Sequence, residues 1–257
     1  LNAGVDPLSD PIALVAGLPF GLTLLAILGA HEFGHYFAAR RHRVAVTLPY
    51  FIPMPLSFVG TFGAFIQLRS PVRNRNHLFD VGVAGPLAGL AVAIPLLVYG
   101  LVMSPVQALP AEGGYMMEGN SLLYLGLKYL VHGELLPANG RDVMLHPMAF
   151  AAWFGLLVTA FNLLPVGQLD GGHVLFALFG ERVRVVGLVF IGVLVVMGIT
   201  LWEGWLVWAI LTFLLGVAHP PPLNDLTPLD RRRYLLGIVV LIIFVLVFVP
   251  VPLTVVM

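Results

Sequence analysis

Three side chains in this sequence stand out for the chemistry they could perform together: His31, Glu32 and His35, in the run His31-Glu32-Phe33-Gly34-His35. Two histidines four positions apart share one face of a helix and can grip a single zinc ion. The glutamate between them can act as general base on a metal-bound water. On a soluble helix the pattern would suggest an ordinary metalloprotease, but the preceding run from Ile12 to Ala30 carries no charged residue. An ionisable cluster that deep in hydrocarbon is costly and marks a functional site. The implied chemistry is hydrolysis inside a membrane. The competing reading, two buried histidines bridging helices, would leave Glu32 as an unpaired carboxylate in lipid.

A catalytic zinc site usually takes three protein ligands and keeps a fourth position open. His42, His77, His132, His146 and His219 fall in loops or near predicted interfaces and read as surface residues. Asp170 differs. It lies in Asn162-Leu-Leu-Pro165-Val-Gly167-Gln-Leu-Asp170-Gly171-Gly172-His173, within a long apolar segment whose proline and glycines break a helix and free backbone groups to face a cavity. His31 precedes Arg40 by roughly 14 Å of helix and Asp170 precedes Arg182 by at most about 18 Å, so the two share a depth near mid-membrane. If the broken segment begins near Trp153, Asn162 reaches a similar depth. Asp170 can also be read as an N-cap for the helix resuming at Gly171, a role compatible with ligation. His173 reads as a group beside the site, with ligation as an alternative.

The elements that must carry these residues are membrane helices. Hydrophobic residues make up 59% of the 257 positions, charged residues only 10%, and the mean hydropathy is +0.97. A soluble domain would carry about a quarter charged residues. The net charge of zero gives no reason to expect a nucleic-acid partner, and with no cysteine neither disulfides nor thiolate metal sites are available. The chain begins at Leu1, which leaves room for a missing leader or N-terminal segment, and no cleavable signal pattern is visible.

Apolar runs able to cross a bilayer need about 20 residues, and six are read: roughly 12–39, 78–103, 148–181 (long and broken), 184–200, 203–218 and 234–256. Arg40, Arg41, Arg43, Arg69, Arg73, Arg75, Arg182, Arg184, Arg231, Arg232 and Arg233 fall on one side of this map, and Lys128 and Arg141 on the other. The positive-inside rule makes the arginine-rich side cytoplasmic and both termini external. The predicted fold is an α-helical polytopic membrane bundle of about six spans, forming a single domain over 1–257. Its catalytic core covers about 12–182 and additional spans cover about 184–257. The external connection 104–147 includes an amphipathic stretch at 120–132 able to lie on the membrane surface, and His219-Pro220-Pro221-Pro222 reads as a linker holding the last span apart.

Between the first two spans, Pro49, Pro53 and Pro55 exclude helix over 44–72. Gly60 to Leu68 reads as a strand, rich in aromatic and β-branched residues. Apolar, non-helical backbone at a membrane needs protein or a water-filled cavity to satisfy it, which a re-entrant β-hairpin beside the active site would supply; a loop at the interface is the alternative. In the next span Gly82, Gly85 and Gly89, with Ala84 and Ala88, form a small face for close helix packing. Asp80 is expected to cap that helix.

Together, His-Glu-x-x-His in the first span and Asn-x-x-Pro-x-x-x-x-Asp-Gly in the third resemble the site-2 protease family of intramembrane zinc metalloproteases. The run Phe79 to Gly89 also resembles that family's second core span, so the likeness covers about residues 20–182. It implies one zinc ion per chain bound by His31, His35 and Asp170, Glu32 as catalytic base or acid, and Asn162 helping to bind or polarise the scissile carbonyl. The chain departs from parts of the family in holding neither a PDZ domain nor a nucleotide-binding module, which leaves regulation open. The implied activity is peptide-bond hydrolysis within or near transmembrane segments of membrane-protein substrates, with the lipid bilayer as the other partner. A substrate helix must unwind first, and the strand residues Gly60, Thr61, Phe62, Gly63 and Phe65 could hold it by β-augmentation. The rival functions are a non-proteolytic zinc-binding or transport protein of the membrane, which would not need the glutamate beside a histidine, and a pseudo-enzyme binding membrane helices, which would have no need of Glu32. The expected location is a prokaryotic cytoplasmic membrane, multi-pass, with the site reached from the cytoplasm. Oligomeric state is left open.

Overall fold

The computed structural model describes residues 11–53, 61–110, 114–217 and 219–256. Eight α-helices among them dominate the architecture: α1 (Pro11–Arg41), α2 (Arg75–Val102), α3 (Leu122–His132), α4 (Pro147–Asn162), α5 (Asp170–Phe179), α6 (Val183–Thr200), α7 (Gly204–Leu215) and α8 (Arg231–Val247). Among the described residues three helical stretches are long and apolar enough to cross a membrane: Val15–Arg41, Arg75–Val102 and Asp170–Thr200. The last is interrupted at Gly180, whose φ of 62° and ψ of −142° leave the helical region. The apolar helices α4 and α7 are shorter, and at 12 residues α7 spans about 18 Å, well under the roughly 30 Å of a hydrocarbon core.

Local chemistry explains the boundaries. At the end of α1, Arg43 takes a left-handed φ of 58° and the Val44 amide reaches back to the Ala39 carbonyl at 2.9 Å, with Ala39 and Val44 packed together. This is the six-to-one bond and hydrophobic contact of a Schellman end. The Asn74 side chain caps α2 by accepting from the His77 amide at 2.9 Å. Asp80 is therefore not the cap: the helix starts a turn and a half earlier. Instead Asp80 accepts from both Nε and Nη2 of Arg233 at 2.7 and 2.6 Å and lies 2.8 Å from His42 Nε2. That cluster ties the end of α1 and the start of α2 to the start of α8.

Among the described residues three two-stranded antiparallel sheets accompany the helices. β1 (Tyr50–Pro53) pairs with β2 (Thr61–Phe65), with a bulge at Ile52/Pro53, and the ribbon continues through a bridge between Val46 and Leu68. The expected hairpin is present, with a shorter strand than 60–68. Gly60 lies outside the described residues, and of Thr61 and Phe62 only the backbone is described. β3 (Val106–Ala108) pairs with β5 (Arg141–Val143), and β4 (Tyr115–Glu118) pairs with β6 (Leu253–Val256). The apolar run 234–256 was expected to be one helix. Pro250 and Pro252 exclude that, and the β-branched tail becomes a strand on the 104–147 connection.

The main core lies between α1, α2 and α4, built from Ile27, Phe79, Leu90, Leu97, Trp153 and Leu156. α8 packs against α2, α3, α4 and α5, so the expected linker around Pro220 does not hold the last helix apart.

Candidate metal centre

The two histidines and Asp170 reach their places through glycine-governed packing. Gly34 of α1 faces α2, where an added Cβ would strike the Ala84 carbonyl and lie 2.9 Å from Ala88 Cβ. On the facing side, a Cβ at Gly85 would collide with the His35 imidazole and one at Gly89 would come 3.3 Å from His31 Cβ. The small face of α2 thus accommodates the two histidine rings themselves, a more specific use than close helix approach alone. α2 also orients one ring: His35 Nδ1 donates to the Val81 carbonyl at 2.7 Å, which leaves Nε2 with its lone pair.

The third group arrives through the break between α4 and α5. Leu163 closes α4, Gly167 turns with φ 55°, and α5 resumes at Asp170. A Cβ at Gly171 or Gly172 would collide with the carbonyls of Leu163 or Gly167, so the glycine pair lets α5 start directly against the loop. Leu169 is the N-cap of α5 without a side-chain cap bond. Asp170 is therefore not the cap, and its carboxylate is left for the histidines.

The three groups converge. His31 Nε2 and His35 Nε2 are 3.1 Å apart, and Asp170 Oδ2 lies 3.2 and 3.3 Å from them. Ligands of a tetrahedral zinc with bonds near 2.0–2.2 Å stand about 3.3 Å apart, so the donor types and their spacing fit such an ion; among the described residues this is the one cluster of its kind. Asn162, the last residue of α4, brings Nδ2 to 3.3 Å from His31 Nε2. Glu32 is 8% exposed, and the Ile66 amide, just past β2, lies within hydrogen-bonding reach of its carboxylate. The hairpin therefore borders the glutamate. Phe51 approaches α1 at Gly29, Ala64 packs between α1 and α4, and Phe65 is 47% exposed.

Peptidase family M50 matches residues 19–199 of this sequence. The chain belongs to peptidase family M50. Among curated relatives, probable zinc metalloprotease EGY2, chloroplastic, of Oryza sativa subsp. indica is 33% identical over 92% of this chain. Probable zinc metalloprotease EGY1, chloroplastic, of Arabidopsis thaliana is 34% identical over 92%, and probable zinc metalloprotease EGY3, chloroplastic, of Oryza sativa subsp. japonica is 27% identical over 95%. In each case the match covers 43% of the relative, so the chain spans under half the length of these M50 proteins. The relatives are named as chloroplastic plant proteins, which lends no support to the expected prokaryotic membrane.

The sequence missed one pair beside this M50 site. His219, which reads as a surface residue from sequence, is 7% exposed, and its Nε2 stands 2.5 Å from His173 Nδ1 on α5. The proline run after it was the available signal, since chain that cannot be helical must, if it lies at membrane depth, be buried against protein or line a cavity.

Proposed function

We propose that this chain is an intramembrane zinc metalloprotease that hydrolyses peptide bonds within or near transmembrane segments of membrane-protein substrates. The observation that carries the reading is the convergence of His31, His35 and Asp170 beside a buried Glu32. The zinc in the names of the M50 relatives agrees with this donor set. His31, His35 and Asp170 hold one zinc ion per chain. When bound, the ion acidifies water and polarises a carbonyl. Glu32 takes the proton from the attacking water and delivers it to the leaving amine. Asn162 donates a hydrogen bond to the oxygen that gains charge at the scissile carbonyl. Gly63 and Phe65, with Gly60, Thr61 and Phe62 of the same strand, hold the unwound substrate by β-augmentation.

The arrangement in the membrane is part of the proposal. Six crossings are formed by α1, α2, the broken α4–α5 pair, α6, α7 with the non-helical chain after it, and α8. Supporting this count, Gly187 of α6 lies beside Pro165 and Val166 of the break, as expected if α6 turns back along α5. The pairing of β4 with β6 supports a common side for 104–147 and the chain's end, while the Asp80–Arg233–His42 cluster supports a common side for the arginine-rich ends. The site opens toward the arginine-rich face, the cytoplasmic one by the positive-inside rule, and the hairpin is re-entrant. The whole forms one domain with a catalytic core at about 12–182.

Glu32→Gln tests the chemistry: zinc content stays near one per chain while cleavage of a designed transmembrane peptide in detergent falls by about 10²–10⁴-fold. Near-normal cleavage would overturn the mechanism. For the orientation, single cysteines replacing Arg73 and Arg232 should be protected from an impermeant thiol reagent in intact cells and one replacing Arg141, exposed on the 104–147 connection, should react; the reverse pattern would invert the map.

A further inference from the structure

The chain after α7 enters the protein at the level of the metal-bearing loop. Gly216, with φ 94°, sets its carbonyl against Gly167 of the break, where a Cβ on Gly167 would collide with it. At its other end the same segment is fastened to the start of α2. The Leu223 and Asn224 amides donate to the Val72 and Arg73 carbonyls at 3.1 and 2.8 Å, and Arg75 makes a two-pronged bond to Asp225 at 2.7 and 2.9 Å. Between these anchors sits His219, stacked on Phe176 of α5 with ring centroids 4.5 Å apart at 22°, and edge-on to His173 at 4.8 Å and 83°.

The hydrogen-bond roles follow from one carbonyl. His219 Nδ1 lies 2.7 Å from the Pro220 carbonyl, which can only accept, so Nδ1 carries the hydrogen. Two abutting rings cannot both carry charge. In the neutral pair His219 Nε2 is then an acceptor, and His173 Nδ1–H donates to it across 2.5 Å. His173 follows Asp170 by three residues, one turn along the same face of α5, and its Cβ rests against Gly82 of α2. The first turn of α5 is therefore gripped from two sides, by a glycine of α2 and by a histidine of the strap.

We propose that His219 is a positioning residue of the metal centre: by accepting from His173 and stacking on Phe176 it fixes the rotation and depth of the helix that presents Asp170. Sequence far outside the His-Glu-x-x-His and Asp-Gly motifs thereby sets the placement of the third ligand, and α7 with its following strap belongs to the active site. This rests on the zinc reading above.

The test compares the full chain in detergent as wild type, His219→Phe and His219→Gln, loaded with cobalt(II) for its visible ligand-field bands and with zinc for affinity by chelator competition. Phenylalanine keeps the stack on Phe176 and loses the acceptor. It should shift the cobalt bands and weaken zinc binding roughly tenfold, the scale for losing a partner that orients a ligand, with kcat for a designed transmembrane peptide falling more than KM changes. Glutamine can offer its side-chain oxygen to His173 Nδ1–H and should restore the bands and most of the affinity. His173→Leu removes the same bond from the donor side and should act like His219→Phe, which keeps the test open if one variant is unstable. Wild-type bands and zinc affinity in a folded His219→Phe or His173→Leu protein would overturn the proposal, as would a glutamine variant no better than phenylalanine. A wild-type protein that takes up neither metal would overturn the zinc reading and this inference with it, whereas a metal-loaded wild type beside an indifferent His219→Phe overturns this inference alone.

Discussion

The protein holds two groups of buried ionisable residues, one around His31, His35 and Asp170 and one around Lys128, and their composition differs in one respect. Beneath α3, Lys128 is 0% exposed and has its own counter-charges: Asp142 Oδ1 at 3.4 Å, Glu118 Oε1 at 4.0 Å, and the Tyr124 ring 4.8 Å beneath it. Tyr124 also donates to Glu118 at 2.9 Å, and burial pushes the Glu118 carboxyl above its usual range. Cation, anion and donor are all supplied by the chain. At the other group, a carboxylate oxygen and two imidazole nitrogens meet within 3.3 Å, and the His35 nitrogen facing inward is an acceptor because the other donates to Val81. Among the described residues no lysine or arginine is paired with this cluster, and its donor set could hold a metal ion. A group with its own counter-charges needs no ligand to be satisfied, whereas converging acceptors at this spacing are what the zinc proposal rests on.

The largest effect that could break this contrast is at Asp170. Asp170→Ala should bring zinc per chain, by elemental analysis after dialysis, from near one toward zero and abolish cleavage, because two histidines make a weak, poorly shaped site. Full occupancy would mean that another group completes the donor set. Lys128→Ala should do the opposite. Leaving Asp142 and Glu118 buried without their cation should cost about 3 kcal/mol, read as a lower unfolding midpoint in detergent, while zinc per chain stays at the wild-type value. Loss of zinc in that variant would erase the distinction between the two groups. Smaller still is the coupling between them: removing zinc with a chelator should lower the midpoint of wild type and Lys128→Ala by the same amount, since sites without shared partners add. A chelator shift that vanishes in the lysine variant would reveal a connection through α2.

The same contrast explains what could be read from sequence. The candidate metal cluster was legible because its parts are local. His31 and His35 are one helical turn apart, and the break around Asp170 is announced by Pro165 and three glycines, Gly167, Gly171 and Gly172. The small face of α2 could be read from its spacing, although which rings it receives could not. The lysine group is assembled from β4, α3 and β5, and Lys128 alone looks like an ordinary exposed lysine on an amphipathic helix. Asp80 was misread as a cap because its partner, Arg233, is 153 residues away. The strand Leu253–Val256 passed for the end of a helix because a short apolar β-branched run has no period to separate the two. In each case the missing information was a long-range partner.

The remaining prediction extends the comparison to substrate. If β2 holds an unwound segment through its backbone beside Glu32, then Phe65→Pro removes one donor and should lower cleavage about tenfold, the scale of one lost hydrogen bond to a backbone group. The metal cluster makes no bond to Phe65, so zinc per chain should stay near one. Phe65 is half exposed and pairs with Tyr50 across the hairpin, with ring centroids 5.7 Å apart, so side-chain loss must be separated from backbone loss. Phe65→Leu keeps the amide and removes the aromatic contact; it should cost no more than about twofold. Equal losses from proline and leucine would assign the effect to packing against Tyr50 rather than to strand addition. Zinc lost with proline alone would mean that the hairpin props up the Glu32 segment of α1, to which the Ile66 amide reaches, and that its role is structural.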